Sequence, residues 1–312
     1  MEVRMRQGTS VVVFTVAMVA LAALPASAAK TAHMERSLAA GTIRMVEADL
    51  SVHDLNVRVA PGETIEVTVD LRAGSTKRLE EIRPKIEVND HVLKIVAPKH
   101  HHHWGWGSSG THAAITIVMP PGRELDVDTA SGDVRLDGDL GANFEVDTAS
   151  GDVTVEGAFA QGEIDTASGD VRLKLDKPAE GLDIETASGD VTVEGGAAKA
   201  HLETASGDVR VDGLTGPAEV DTASGDVTLQ WPEVPAGADA EIETASGDVR
   251  IVLPPTAAVA GTVTTHSGDL RSDFPSSRSG HGRILELRSD RPALRLEIST
   301  SSGDVSIEKV GS

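Results

Sequence analysis

The chain has 312 residues, with 49 acidic and 28 basic side chains, a formal net charge of −21 and no cysteine. That charge argues against nucleic acid or anionic lipid as partners, since both need a basic face; without disulfides, stability rests on packing and hydrogen bonding. Only 2% of residues are aromatic and none is tyrosine, which excludes a deep aromatic core and favours a thin one filled by Val, Leu, Ile and Ala between close sheets.

At the N-terminus, Arg4 and Arg6 precede an apolar run over residues 11–24 and then Ala26-Ser27-Ala28. This is the pattern of a secretory signal peptide over residues 1–28. The apolar run is too short to cross a bilayer about 30 Å thick at about 1.5 Å per residue. The mature chain is therefore expected to begin near Ala29, to have no membrane span and to be exported to the periplasm, the cell surface or the medium. No cysteine follows the cleavage site, so lipid attachment there is not expected.

Residues 29–121 read as an N-terminal β region that caps the rest of the chain, with strands over residues 42–46, 50–59, 64–71 and 86–96, the last carrying a turn at Asn89-Asp90. Asp49-Leu50-Ser51-Val52 looks like a worn copy of an Asp-Val-Thr-Val rung. Within the loop 99–110 lies Lys99-His100-His101-His102-His103-Trp104-Gly105-Trp106-Gly107. Consecutive imidazoles can chelate zinc, nickel or copper, so His100, His101, His102 and His103 are the metal candidates. No supporting ligands from other elements are recognisable, and a solvated loop is the plainer reading. Trp104 and Trp106 could stack on a sugar, meet a partner or cover the end of the fold.

Residues 122–312 are organised by a repeat. The string Thr-Ala-Ser-Gly-Asp-Val occurs seven times, with Gly-Asp at Gly132-Asp133, Gly151-Asp152, Gly169-Asp170, Gly189-Asp190, Gly207-Asp208, Gly225-Asp226 and Gly247-Asp248. Two variants stand at Gly268-Asp269 and Gly303-Asp304. Between Gly122 and Arg250 there are 30 acidic and 8 basic residues, a net of −22, so the excess charge resides in the repeats. Around each hexamer apolar residues alternate with charged ones: Leu125, Val127 and Thr129 before it, Val134 and Leu136 after it. That spells strand, turn, strand. Val127 and Val134 are an odd number of residues apart, so the Ala-Ser-Gly segment must bend for both to reach the core. Glycine at a tight or φ > 0 corner, with Ser and Asp satisfying free amides, accounts for the motif. A second corner is expected at Asp137-Gly138, Glu156-Gly157, Glu194-Gly195 and Asp212-Gly213.

Two strands and two corners per repeat make an all-β, parallel β-solenoid whose coils stack at about 4.8 Å, giving a rod about 40 Å long for nine coils. The residue after the motif valine alternates: Arg135, Thr154, Arg172, Thr192, Arg210, Thr228, Arg250. If one motif makes one coil, arginines sit two rungs apart in one column; if two motifs make one coil, arginines share one face and threonines another. The cost of opposed like charges favours the first. Residues 275–283, rich in Ser, Gly and Arg, read as an insert loop, followed by strands over 284–288 and 294–298.

The segment Met119-Pro120-Pro121-Gly122, the Ser-Gly-Asp-Val rungs and the closing Ser302-Gly303-Asp304-Val305-Ser306-Ile307 resemble the bacterial putative-adhesin β-strand-repeat family, a domain of unknown function, over about residues 40–310. The resemblance implies an exported or envelope-attached protein; some members lie beside envelope-stress or transcriptional regulators. It supplies no catalytic residues. Nor does the sequence: it lacks a Gly-x-Ser-x-Gly elbow, a His-Glu-x-x-His helix and a Walker loop. Its carboxylates recur identically, whereas an active site needs one unequal constellation. The stacked Asp column could hold calcium, though turn chemistry explains it without a metal. The expected function is a non-enzymatic envelope or surface scaffold or adhesin with an unidentified protein or glycan partner. The alternative is metal binding or stress sensing through the histidine loop. No cofactor is expected beyond a candidate divalent cation.

Overall fold

The apolar-charged alternation on either side of each hexamer is realised as one strand before it and one after it. The computed structural model describes residues 29–98 and 111–311. Strands preceding the motif, beginning with Glu124–Thr129, build a 14-stranded sheet (sheet 1), and strands following it, beginning with Val134–Asp139, build a 13-stranded sheet (sheet 2). Pairing along the stack is parallel and in register. Val127, Val146, Ile164 and Ile184 face one another in sheet 1, and Val134, Val153, Val171 and Val191 do so in sheet 2. One motif therefore makes one coil. Each of these eight residues is at most 2% exposed, so the Ala-Ser-Gly bend does return both strands' apolar faces to a shared core. The core is a single layer between the sheets, as the aromatic-poor composition requires. Near the second corner its few aromatics fill wider space: Phe144 and Phe159 meet edge to face at 4.7 Å, and buried Trp231 donates Nε1–H to the Gly216 carbonyl at 2.9 Å.

The coils do not stack in simple sequence order. The last coil, Leu294–Ser302 and Val305–Lys309, inserts between the coil of Asp248 and that of Asp269. This explains the long gap before the final motif. It also keeps the charge alternation of sheet 2: in sequence Arg250 is followed by Arg271, but in space Ser306 lies between them. Residues 275–283 are not a loop. Ser276–Ser279 forms a strand antiparallel to Ile284–Leu287, and the hairpin covers the edge of sheet 1 beside Val259–Ser267, where a bare edge would invite association.

The N-terminal end repeats the device. Met45–Leu50 and Asp54–Val59 form a coil inside the stack, against Glu124–Thr129 and Val134–Asp139, so the solenoid begins well before residue 122. Its register differs from the sequence reading: Asp49 pairs with Asp128 and Leu55 with Val134, so the worn motif is Leu50-Ser51-Val52-His53-Asp54-Leu55. Beyond it, Lys85–Asn89 and Val92–Val96 close sheet 1, joined through Asp90-His91, both at positive φ. Lys30–Ala39, Thr64–Ala73 and His112–Met119 close sheet 2 with antiparallel pairings. A short helix, Thr76–Glu81, is capped by Ser75, whose Oγ accepts from the Arg78 amide.

At the motif corner, the stack explains both letters of the recurring Gly-Asp. A Cβ on Gly169, Gly189 or Gly207 would lie 2.0 Å from the carbonyl oxygen of the corner glycine one coil away. Glycine is thus required chiefly by the close approach of stacked corners. The left-handed conformation is clearest at the second corner, as at Gly195 (φ +93°). Each motif Asp then bonds the next: its Oδ1 accepts the backbone N–H of the Asp one coil away, at 2.7–3.3 Å, in unbroken order from Asp54 through Asp133, Asp152, Asp170, Asp190, Asp208, Asp226, Asp248 and Asp304 to Asp269. Amides at a bend fall outside the sheet ladders, and a carboxylate is a strong acceptor for them. Only the first corner carries a side chain in place of glycine. His53 is fully buried there, with Nε2 2.7 Å from the Ile82 carbonyl, and burial pushes its pKa down, so the imidazole is neutral.

Two substitutions separate these roles. Gly189→Ala should cost about 3 kcal/mol or more because the backbone of two coils must part, whereas Lys199→Ala, at an exposed site, should stay within about 0.5 kcal/mol. Chemical denaturation measures both, and equal midpoints would disprove the stacking role. Asp190→Ala should cost about 1–2 kcal/mol by orphaning the Asp208 amide, and Asp190→Asn, which keeps an acceptor oxygen, less than half of that.

Candidate functional site

Strand geometry sends alternate side chains outward, and in-register stacking turns each outward position into a column. On sheet 1 two such columns are almost wholly acidic. One runs Glu47, Asp126, Glu145, Glu163, Asp183, His201, Glu219, Glu241, Glu297. The other, next to the motif threonine, runs Asp49, Asp128, Asp147, Asp165, Glu185, Glu203, Asp221, Glu243. Sheet 2 differs: its Arg column is interleaved with Thr, and ion pairs such as Arg135–Glu156 and Arg250–Glu308, both at 2.7 Å, balance it.

Crowding shifts the acids. Partial burial first, and then like charges on neighbouring rungs, raise the carboxyl pKa of Asp126, Glu145, Asp147, Asp165, Asp221 and Glu241. For Glu185 the charges of Asp165 and Glu203 come first. Asp170, in the motif column, goes the other way, lowered by the Asp190 amide and then by Arg172. His201 lies inside the acidic face, with Nε2 3.2 Å from Glu203 and Nδ1 3.5 Å from Glu219.

Beside the second acidic column runs a groove of about 1640 Å³, lined in coil after coil by acid, threonine and alanine, from Asp49 to Ser301. The motif alanines are exposed along it. The threonines are 4–6% exposed, and the hydroxyls of Thr129, Thr148, Thr166, Thr186, Thr204, Thr222, Thr244 and Thr300 have no hydrogen-bond partner among the described residues. Thr265 reaches the Gly303 carbonyl at 3.4 Å. The groove was not expected from the sequence, where the motif reads as turn chemistry with calcium binding by the Asp column as the alternative; the available signal was an unvarying small residue in each hexamer.

Of the other candidate sites, His100, His101, His102 and His103, with Trp104 and Trp106, lie outside the described residues, as do residues 1–28, where a signal peptide is expected. The motif Asp column commits one oxygen of each member from Asp54 to Asp304 to a backbone amide. Among the described residues no three His, Asp or Glu side chains converge as metal ligands.

Two long, mostly parallel sheets closed by corners and capped at both ends define a β-solenoid. The chain belongs to the Toastrack DUF4097 family, whose model matches residues 46–308. No curated protein matches the sequence. Similar solved structures include a putative adhesin from Parabacteroides distasonis (14% identity, 89% of this chain and 97% of that one, TM-score 0.50). Others are a putative lipid binding protein from the same organism (14%, 88% and 96%, TM-score 0.48) and a putative adhesin from Bacteroides fragilis (15%, 89% and 97%, TM-score 0.44). These likenesses concern the fold alone. No helix among the described residues is long and apolar enough to cross a membrane.

The raised carboxyls fix a pH dependence. A carboxyl whose folded pKa is raised contributes stability that is present below its unfolded pKa of about 4 and lost as pH rises through the folded value. Asp170, with a lowered pKa, acts oppositely, losing its contribution as pH falls through its folded value, and neutral buried His53 opposes folding as pH falls below about 6.5. Seven raised groups outnumber these two. In low salt the thermal midpoint should therefore rise as pH falls toward about 4, and salt near 0.5 M, with a screening length of about 4 Å, should flatten the slope. A midpoint that falls steadily as pH approaches about 4 would show that the burial of neutral His53 outweighs the acidic columns.

Proposed function

We propose that this protein is an exported, non-enzymatic component of the cell envelope or surface that works as an adhesin or interaction scaffold. The observation that carries this reading is uniformity: the outward chemistry of sheet 1 repeats from coil to coil without the single unequal cluster that catalysis requires. Repetition instead builds an extended, multivalent surface, on which weak identical contacts add. The Arg4–Arg6, apolar and Ala26-Ser27-Ala28 pattern supports export, and the adhesin name of the Parabacteroides distasonis neighbour is consistent with a surface role.

Fractionating cells that make a C-terminally tagged protein, and sequencing its N-terminus, tests the location. The mature chain should start near Ala29 and occur in the envelope or medium, and cross-linking there should recover a protein or glycan partner whose capture fails after deletion of the coils. Cytoplasmic protein that retains residues 1–28 would overturn the reading.

A further inference from the structure

Most letters of the repeated hexamer have a structural reason. Valine fills the core, threonine is buried, glycine admits the stacked corner and aspartate bonds the next coil. The alanine has none. Ala130, Ala149, Ala167, Ala187, Ala205 and their successors are exposed where each strand of sheet 1 runs into the corner, and on a strand surface larger β-formers are at least as favourable. Ser51 and Ser301 take this position in the flanking coils. The outermost coil has His266 there, and the groove lining stops one coil short of it. What a small residue does at this position is keep the groove open.

The wall of the groove is equally regular. Among the described residues, the carboxylates from Asp128 to Glu243 have one basic neighbour within ion-pair distance, His201 on Glu203. They recur once per coil, about 4.8 Å apart. The partner must then be a cation whose charges repeat at that interval along one line, and whose connecting chain is thin and apolar enough to lie over alanine methyls. Ammonium groups separated by three methylenes are about 5 Å apart when extended, from ordinary C–C and C–N bond lengths. Lysines on one face of an extended peptide recur at about 6.7 Å and fall out of step within a few rungs.

We propose that the groove of sheet 1 binds linear polyamines with trimethylene spacing. Each ammonium pairs with one carboxylate of the column, each methylene spacer rests on the alanine floor, and from Thr129 to Thr244 the threonine lining the groove has a hydroxyl without a hydrogen-bond partner among the described residues. Partial burial and the like charges of neighbouring rungs raise the pKa of several of these carboxyls, and bound cations offset the second of these. The groove spans nine coils, about 40 Å, and its carboxylates from Asp128 to Glu243 number seven, so at most two tetramines bind end to end. This inference goes beyond the scaffold reading and does not depend on it, since binding is measured on purified protein wherever that protein resides in the cell.

Calorimetric titration of the processed protein at low salt tests it, with four probes: a linear tetramine with three-methylene spacers, one of equal charge with five-methylene spacers, tetralysine, and magnesium at matched ionic strength. Saturable binding of the first, at least tenfold tighter than each of the others, is expected. The double variant Ala187→Leu/Ala205→Leu keeps every carboxylate and should weaken that binding at least tenfold with an unchanged melting point. Should it not fold, Glu185→Gln/Glu203→Gln, at exposed sites, should show the same loss. Equal affinity for both spacings, or full affinity in the folded leucine variant, would reduce the effect to diffuse cation condensation and overturn the proposal. Tighter binding of tetralysine would overturn it in favour of a basic peptide.

Discussion

Everything in this fold depends on coils stacked in register at the β-sheet spacing of about 4.8 Å. At that distance each side chain meets its own counterpart above and below, so the local choice at one position is imposed along the whole column. Where the backbone itself comes closest, at the motif corners stacked on the first one, the carbonyl of the preceding corner occupies the place a Cβ would need, and only glycine fits. Where a bend strands its amides, the same stacking brings a carboxylate from the neighbouring coil within hydrogen-bonding distance. A row of like charges thereby becomes a continuous chain of charge-assisted bonds.

The two outer faces resolve the same electrostatic problem differently. On sheet 2, arginine and a small hydroxyl residue alternate, keeping cations about two rungs apart and within reach of Glu or Asp partners. Sheet 1 has two parallel acidic columns in which, among the described residues, the carboxylates from Asp128 to Glu243 meet a single basic side chain, His201, and several carboxyls of the face are displaced toward protonation. A face that stores repulsion in this way is stabilised by whatever cations gather on it, which connects the electrostatics of the fold to an interaction surface rather than to catalysis.

Much of the architecture was legible in the residues. The hexamer count, the odd spacing of Val127 and Val134 and the Arg-Thr alternation were enough to indicate two strands per repeat, one motif per coil and a core between them. The alternation even held a clue to the C-terminal insertion, since Arg250 followed by Arg271 breaks it and only Ser306 restores it. Other features stayed hidden for a physical reason. His53 stands where the motif has glycine, so the first coil loses its signature; its role depends on Ile82, which is distant in sequence. The groove was missed because no single residue marks it: alanine is unremarkable alone and forms a floor only when stacked.

By itself the sequence determined the periodicity, the strand faces, the corner residues and the concentration of negative charge, because each is set by local geometry repeated in the chain. Tertiary structure decided which coils are neighbours, since strand pairing at the two ends is non-local: Leu294–Ser302 enters between coils already formed, and Met45–Leu50 joins the stack from the cap side. It also decided that acids 18 to 22 residues apart in sequence stand shoulder to shoulder beside an open groove. Proximity between coils depends on register, and register is fixed only once the apolar faces of both sheets are buried against each other.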